Sequence, residues 1–213
     1  MTIAKEGFPF IFIPFIAGLA FILVPCLAGL GVLAVYICLG PGILLVIFSL
    51  FCLFFFRDPK IRITEAPGAI LSPCNGTVME IVEKDDEKIL RVFLSIFNVH
   101  LQRAPLSGTV RSVEHKDGKF LAAWNPLAQS ENKQNIITVD SEKGVFTVRQ
   151  IAGFLARRCV SWVKAGDAVR AGDKIGLIKF SSQVDLHLPK KAVISVRPED
   201  KVRAGITIVG ELK

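Results

Sequence analysis

The stretch GLIKFSSQVDLHLP, residues 176–189, decides how the rest of the chain is read. Val184, Leu186 and Leu188 alternate with Gln183, Asp185 and His187, and Pro189 closes the run. A period of two rich in β formers predicts a half-buried strand. Two neighbouring hydroxyls, Ser181 and Ser182, stand at its entrance. A strand does not need both, so they read either as a polar turn or as chemistry.

The residues around this run have the same texture. Gly76–Val82 and Ile89–Ile96 alternate, with Asp85–Lys88 as a polar turn between them. Ser107–Val113 starts another strand, and Ile136–Val139 and Val145–Ile151 flank Asp140–Gly144 as a hairpin. Amphipathic helical spacing is absent from long windows, and at most a short helix or two is expected, near Phe120–Gln129. Gly166-Asp167 and Gly172-Asp173 mark tandem tight turns, similar to those of biotinyl- or lipoyl-type barrel-sandwich folds. A carrier domain would show Met-Lys-Met or Asp-Lys-Ala at a hairpin tip, and neither tripeptide occurs. The expected fold is a mainly β (α+β) soluble domain with a barrel-sandwich-like C-terminal part, preceded by an N-terminal transmembrane helical hairpin.

That hairpin follows from charge. Residues 7–56 hold no charged side chain, and all 26 Lys and Arg lie outside them. Mean hydropathy is +0.49. A spanning helix needs about 20 apolar residues. Division at Gly40-Pro41-Gly42 leaves a second segment too short to cross. Division at Gly29-Leu30-Gly31 leaves two adequate segments, 8–28 and 32–56, with Pro14, Pro25 and Pro41 tolerated as kinks. The predicted organisation is therefore a membrane anchor, 1–56, and a soluble domain, 57–213, which the resemblance given below makes the catalytic one. Lys5 before the apolar stretch, and Arg57, Lys60 and Arg62 after it, predict that both ends face the cytoplasm at the cell (inner) membrane. A cleaved signal peptide does not fit so long an apolar region.

Net charge is +7. No recognition motif or aromatic-basic platform points to nucleic acid, which leaves anionic lipid or ordinary solvated cations. Five cysteines without a Cys-x-x-Cys pair suggest neither a metal site nor a disulfide framework.

Six segments, in order, resemble one family: Phe55–Pro59, Ser72-Pro73-Cys74-Asn75-Gly76-Thr77-Val78, Ser95–Pro105 around Asn98-Val99-His100, Gly118-Lys119-Phe120, Gln150–Arg158, and Ile178–Asp185. Together they look like the short, membrane-anchored, pyruvoyl-dependent phosphatidylserine decarboxylase proenzymes. The resemblance covers nearly the whole chain. It implies self-cleavage at Ser181-Ser182 into 1–181 (a beta chain) and 182–213 (an alpha chain), which stay together as a heterodimer. Ser182 would become a covalent pyruvoyl group. Only a residue with a nucleophile on Cβ can attack the preceding carbonyl and then lose that atom as a leaving group. The ketone would form a Schiff base with the amine of phosphatidylserine and act as an electron sink during loss of carbon dioxide. The product is phosphatidylethanolamine, in phospholipid biosynthesis. Archaetidylserine presents the same serine.

The resemblance also implies roles for other residues. His100, in Asn-Val-His, is the acid-base candidate. Arg157 and Arg158 are candidates for the lipid phosphate. His187 would lie on the opposite strand face from Ser182 and be structural, and His115 would be solvated. Three departures stand out. Ser181 replaces the family's Gly before the cut. Asn75 replaces an Asp that promotes self-cleavage. Asn132-Lys133-Gln134 stands where the family tends to have Asn-Glu-Arg. The alternative reading is an uncleaved, catalytically impaired relative serving as a lipid-binding or scaffold protein. An efflux-type adaptor would need coiled-coil helices, which the sequence lacks. A homo-oligomer is left open.

Overall fold

The computed structural model describes residues 1–213 except 67, 122–124, 126, 154–157, 180, 181 and 213, with Ser182 described by its backbone. The chain forms two compact units, Met1–Lys60 and Ile61–Lys213.

In the first unit, β1 (Thr2–Ile3) precedes α1 (Phe8–Leu27) and α2 (Val32–Phe55), and β2 (Arg57–Asp58) follows. Gly29, at φ 63°, ends α1. The Leu30 N–H donates to the Pro25 carbonyl at 3.0 Å and the Gly29 N–H to that of Cys26 at 3.3 Å. This left-handed cap satisfies the last carbonyls of the helix, and glycine adopts it without a Cβ clash. Pro14, Pro25 and Pro41 remain inside the helices. The two helices touch through glycine: a Cβ on Gly18 would lie 2.8 Å from the Gly42 carbonyl oxygen. About two turns along from that contact, Ser49 Oγ donates to the Ile11 carbonyl at 2.7 Å. β1 pairs antiparallel with β2 and joins the ends of the hairpin. Both helices are long and apolar enough to cross a membrane.

The second unit begins with β3 (Ala69–Leu71), β4 (Gly76–Glu83), β5 (Glu87–Leu94), β6 (Leu101–Arg103) and β7 (Gly108–Lys116). A single turn of helix, α3 (Ala128–Glu131), leads into β8 (Gln134–Ser141), β9 (Gly144–Ala152) and β10 (Cys159–Ser161). Then come β11 (Ala168–Val169), β12 (Lys174–Ile178), β13 (Ser182–Pro189), β14 (Ala192–Ile194), β15 (Lys201–Val202) and β16 (Ile208–Leu212). Eight strands form one sheet in the order β11-β7-β8-β9-β13-β5-β4-β15. Two three-stranded sheets, β10-β12-β6 and β14-β16-β3, complete the domain. Named pairings are antiparallel throughout. The mainly β expectation, with an apolar helix pair ahead of it, agrees with this architecture.

β13 lies in the middle of the large sheet, between β9 and β5. Its Val184, Leu186 and Leu188 enter the core with Val92, Leu90, Val148 and Phe146. Gln183 and Asp185, on the other face, are also buried, so the strand is closed on both sides where a half-buried one is expected. The alternation of the sequence is real. It separates an apolar face from a buried polar one, because neighbouring strands bring partners to the polar side. Of the helix expected near Phe120–Gln129, the described residues show α3 at its C-terminal edge, and residues 122–124 and 126 lie outside them. Asn132 holds the chain at Leu121: its Oδ1 accepts the Leu121 N–H at 2.7 Å and its Nδ2 donates to the Leu121 carbonyl at 2.8 Å. Those bonds take up the main-chain groups of Leu121 that a helix would use.

Candidate active site

Antiparallel pairing brings distant segments to one end of the large sheet. Ser182 opens β13, and directly across from it stand Leu94, which ends β5, and Ala152, which ends β9. β4 starts beside the end of β5, with Thr77 opposite Phe93. β8 starts beside the end of β9, with Gln134 opposite Ile151. The segments around Asn75, His100, Asn132, Gln150 and Ser182 therefore meet along one row of strand ends. Ser181, Arg157 and the side chain of Ser182 lie outside the described residues.

His100 follows the end of β5 and is fully buried. Its approach is shaped by a tight turn, in which Asn98 Oδ1 accepts the Ser95 N–H at 2.8 Å and Ser95 Oγ at 2.9 Å. The ring Nδ1 lies 2.9 Å from the Asn98 carbonyl oxygen. A carbonyl only accepts, so Nδ1 carries the hydrogen and Nε2 is the nitrogen that takes a proton. The Ile178 N–H donates to the His100 carbonyl at 3.2 Å and ties the histidine to the segment entering β13.

Asn75 Oδ1 accepts the Ala204 N–H at 3.0 Å and anchors the chain leaving β15. An aspartate could make the same bond. Arg158 is exposed, and its carbonyl accepts the Lys179 N–H at 3.1 Å. His115 is exposed and its Nδ1–H donates to Asn135 Oδ1 at 2.5 Å. His187 Nδ1 lies 2.7 Å from Glu87 Oε2, toward the far end of β13.

The polar face of β13 carries its own electrostatics. Gln183 Nε2 donates to Asp185 Oδ1 at 2.5 Å, and Arg91 Nε stands 3.4 Å from Asp185 Oδ2. Burial raises the Asp185 carboxyl above its ordinary range, against the opposing pull of Gln183, Arg91, Arg149 and His187. Burial also raises Glu87, but hydrogen bonds and charge from Lys84 and His187 outweigh it and hold that carboxyl below the usual range. Cys74, beside Asn75, is buried, and burial with the Asp185 charge pushes its thiol far up, so it is no ready nucleophile.

Sequence reasoning passed over the buried amides at this end: Gln102, Asn132, Asn135 and Gln150. Asn132 Nδ2 also donates to the carbonyl of Ala152, the residue opposite Ser182, at 2.7 Å. The signal was present for Gln150, which is in phase with the core residues Phe146, Val148 and Ala152 along β9. A polar residue on the apolar side of an alternating strand asks for a partner.

An antiparallel β domain behind an apolar helix pair, with its characteristic segments gathered at one sheet end, is the class of molecule in view. The model of the family described as phosphatidylserine decarboxylase matches residues 48–210. The chain belongs to that family. The phosphatidylserine decarboxylase proenzyme of Solibacter usitatus is 41% identical over 165 residues, covering 78% of this chain and 80% of the relative. That of Magnetococcus marinus is 36% identical over 220 residues, covering 99% and 95%. That of Streptomyces avermitilis is 45% identical over 157 residues, covering 73% and 71%.

Proposed function

We propose that the protein is a self-cleaving, pyruvoyl-dependent decarboxylase that converts phosphatidylserine to phosphatidylethanolamine. The observation that carries this reading is the meeting of the His100, Gln150 and Ser182 segments at one sheet end in a chain of this family. The residues fit a carbonyl group borne at position 182. That position heads a strand with ladder partners on both sides, so a chain end created there stays anchored.

In this reading the Ser182 hydroxyl attacks the carbonyl carbon of Ser181, and the amide becomes an ester. Elimination across Cα–Cβ of residue 182 releases the Ser181 carboxylate and leaves dehydroalanine. Its hydrolysis yields ammonia and the 2-oxoacyl end. His100, with Nδ1–H held by Asn98, takes and returns protons at Nε2. The pyruvoyl group supplies an electron sink for the pair left when carbon dioxide departs. Arg157 and Arg158 offer guanidinium groups to the lipid phosphate. The apolar helix pair holds the enzyme in the membrane where its substrate resides, with both ends of the pair on the cytoplasmic side. Ser181 narrows the backbone choices that glycine would leave open, so cleavage is expected to be slow for the family.

Asn75 favours the second reading, an uncut lipid-binding relative, because a neutral amide cannot stabilise an imidazolium as a carboxylate does. One experiment separates the two. Intact mass and peptide mapping of the purified chain should find a fragment 182–213 with a blocked, carbonyl-bearing first residue. The Ser182→Ala protein should remain whole and form no phosphatidylethanolamine. Phosphatidylethanolamine made by that variant would end the reading of Ser182 as the pyruvoyl residue, and an uncut wild type would favour the second.

A further inference from the structure

We infer that Gln102 and Gln150 are the positioning pair of His100, acting through a hydrogen bond donated to its main-chain carbonyl. This rests on the role proposed for His100 above. Gln102 Nε2 donates to the His100 carbonyl at 2.9 Å. Gln150 Nε2 donates to Gln102 Oε1 at 2.7 Å, and Asn135 Nδ2 donates to Gln150 Oε1 at 3.1 Å. Each amide thus hands a hydrogen to the next, from the exposed His115 inward to His100. The remaining hydrogen of Gln150 reaches the Val160 carbonyl at 3.4 Å. The chain therefore has one sense. Gln102 must turn its NH2 toward His100, because its oxygen is already claimed.

Gln102 and Gln150 are wholly buried and Asn135 nearly so. Neutral amides in a core stabilise little beyond what desolvation costs, and apolar residues of the same shape would serve packing as well. The fold also makes room for them. A Cβ on Gly176 would run into the Val160 carbonyl oxygen, itself an acceptor for Gln150, and stand 2.6 Å from Gln150 Nε2, so β12 passes bare beside both. Position adds the reason. Gln150 is opposite Val184 on β13, two residues before Ala152, which is opposite Ser182. The His100 carbonyl takes its second hydrogen bond from Ile178, on the chain entering β13. The pair thus ties the imidazole-bearing loop to β9, beside the cleavage strand, while Ile178 ties it to the chain entering that strand. Errors of about 1 Å in such a group cost on the order of 100-fold in rate.

Among the described residues, the titratable groups bonded to this chain of amides are His100, His115 and Cys159. The Cys159 thiol donates to the Gln150 carbonyl at 3.6 Å and is pushed up to about 12 by burial. All three are present in wild type and in both variants, and wild type is the reference at every pH.

The test uses full-length Gln102→Glu and Gln150→Glu proteins in lipid bilayers containing phosphatidylserine. Chain cleavage and phosphatidylethanolamine formation are measured against wild type from about pH 5.5 to 8.5. In Gln102→Glu, the ionised carboxylate still accepts from Gln150 but has no hydrogen for His100; once protonated it regains one. In Gln150→Glu, the ionised carboxylate turns the Gln102 amide round, with the same loss. Buried glutamates titrate well above their ordinary value, so recovery falls within the accessible range. The expected deficit is about 100-fold at the alkaline end, shrinking at least tenfold toward the acid end. A deficit that is absent, or constant with pH, overturns the inference and leaves the amides a packing role. The two variants are read separately, so one that misfolds leaves the other to decide. A wild type that neither cleaves nor makes phosphatidylethanolamine removes the decarboxylase reading itself, which a pH-flat deficit does not.

Discussion

Glu199 has φ 75°, the only positive value for a non-glycine residue among those described. It sits in a turn where the Arg197 N–H donates to Asp200 Oδ2 at 2.8 Å. The same turn recurs at Lys164–Asp167 and Arg170–Asp173, with bonds of 3.0 and 2.8 Å. There glycines, Gly166 at φ 90° and Gly172 at φ 87°, hold the corresponding place. A left-handed L-residue costs roughly 1–2 kcal/mol, and glycine's greater chain entropy returns part of that. Glu199→Gly is therefore expected to stabilise the fold by about 0.5–1 kcal/mol, read as a higher unfolding midpoint; a lower one refutes the account. The two Gly-Asp turns were legible in sequence because glycine announces a left-handed residue, and Pro198-Glu199 does not. Asn132 works in the other direction. Asn132→Ala strands three main-chain groups, on Leu121 and Ala152, at about 1 kcal/mol or more each. A loss near ~3 kcal/mol with slower cleavage is expected, measured by denaturant unfolding and by fragment yield. A variant as stable as wild type would show that water replaces the amide.

Elements tell a similar story about what neighbours decide. The strands of the large sheet were readable from their own alternation, because a period of two is a local property. Burial of Gln183 and Asp185 was not, since it depends on Arg91, from a strand far away in sequence. The helix pair is the reverse case. Its apolar length is written in the chain, but its crossing point is a matter of shape. Gly18 and Gly42 let two backbones approach where any side chain would intrude. Gly18→Leu is expected to separate the helices at a cost of about 1–3 kcal/mol. Cysteine cross-linking between α1 and α2 reports it: efficiency near Gly18 should fall sharply, and unchanged cross-linking would contradict the contact. The single bond that Ser49 makes across to Ile11 is too little to hold the pair alone.

Over the whole molecule, acid sensitivity has two opposed sources on one sheet face. Glu87 is held below its ordinary value, so its contribution is present above the unfolded pKa, about 4.3, and is lost as pH falls through the folded one. Asp185 is held above its ordinary value, so its contribution is present below the unfolded pKa, about 3.9, and is lost as pH rises through the folded one. Glu87→Gln should lower stability near neutrality by less than about 1 kcal/mol, because the pair is part exposed. The difference should shrink and vanish as pH falls below the unfolded value through the folded one. Melting curves across pH check this, and a gap that widens in acid would reverse the assignment. The middle position of β13 has a further consequence. Residues 182–213 supply a strand inside the large sheet, its edge strand β15, and the middle strand β16 of a smaller sheet. In the proposed cleavage ahead of Ser182, the ladders of β13 with β5 and β9, of β15 with β4 and of β16 with β3 come to join two separate molecules, while β14 and β16 stay within one. Assembly then obeys mass action: dilution, which leaves an unbroken chain untouched, should slow recovery of the nicked one from denaturant and lower its yield. The proposed order, woven first and severed afterwards, spares the chain that search for a separate partner.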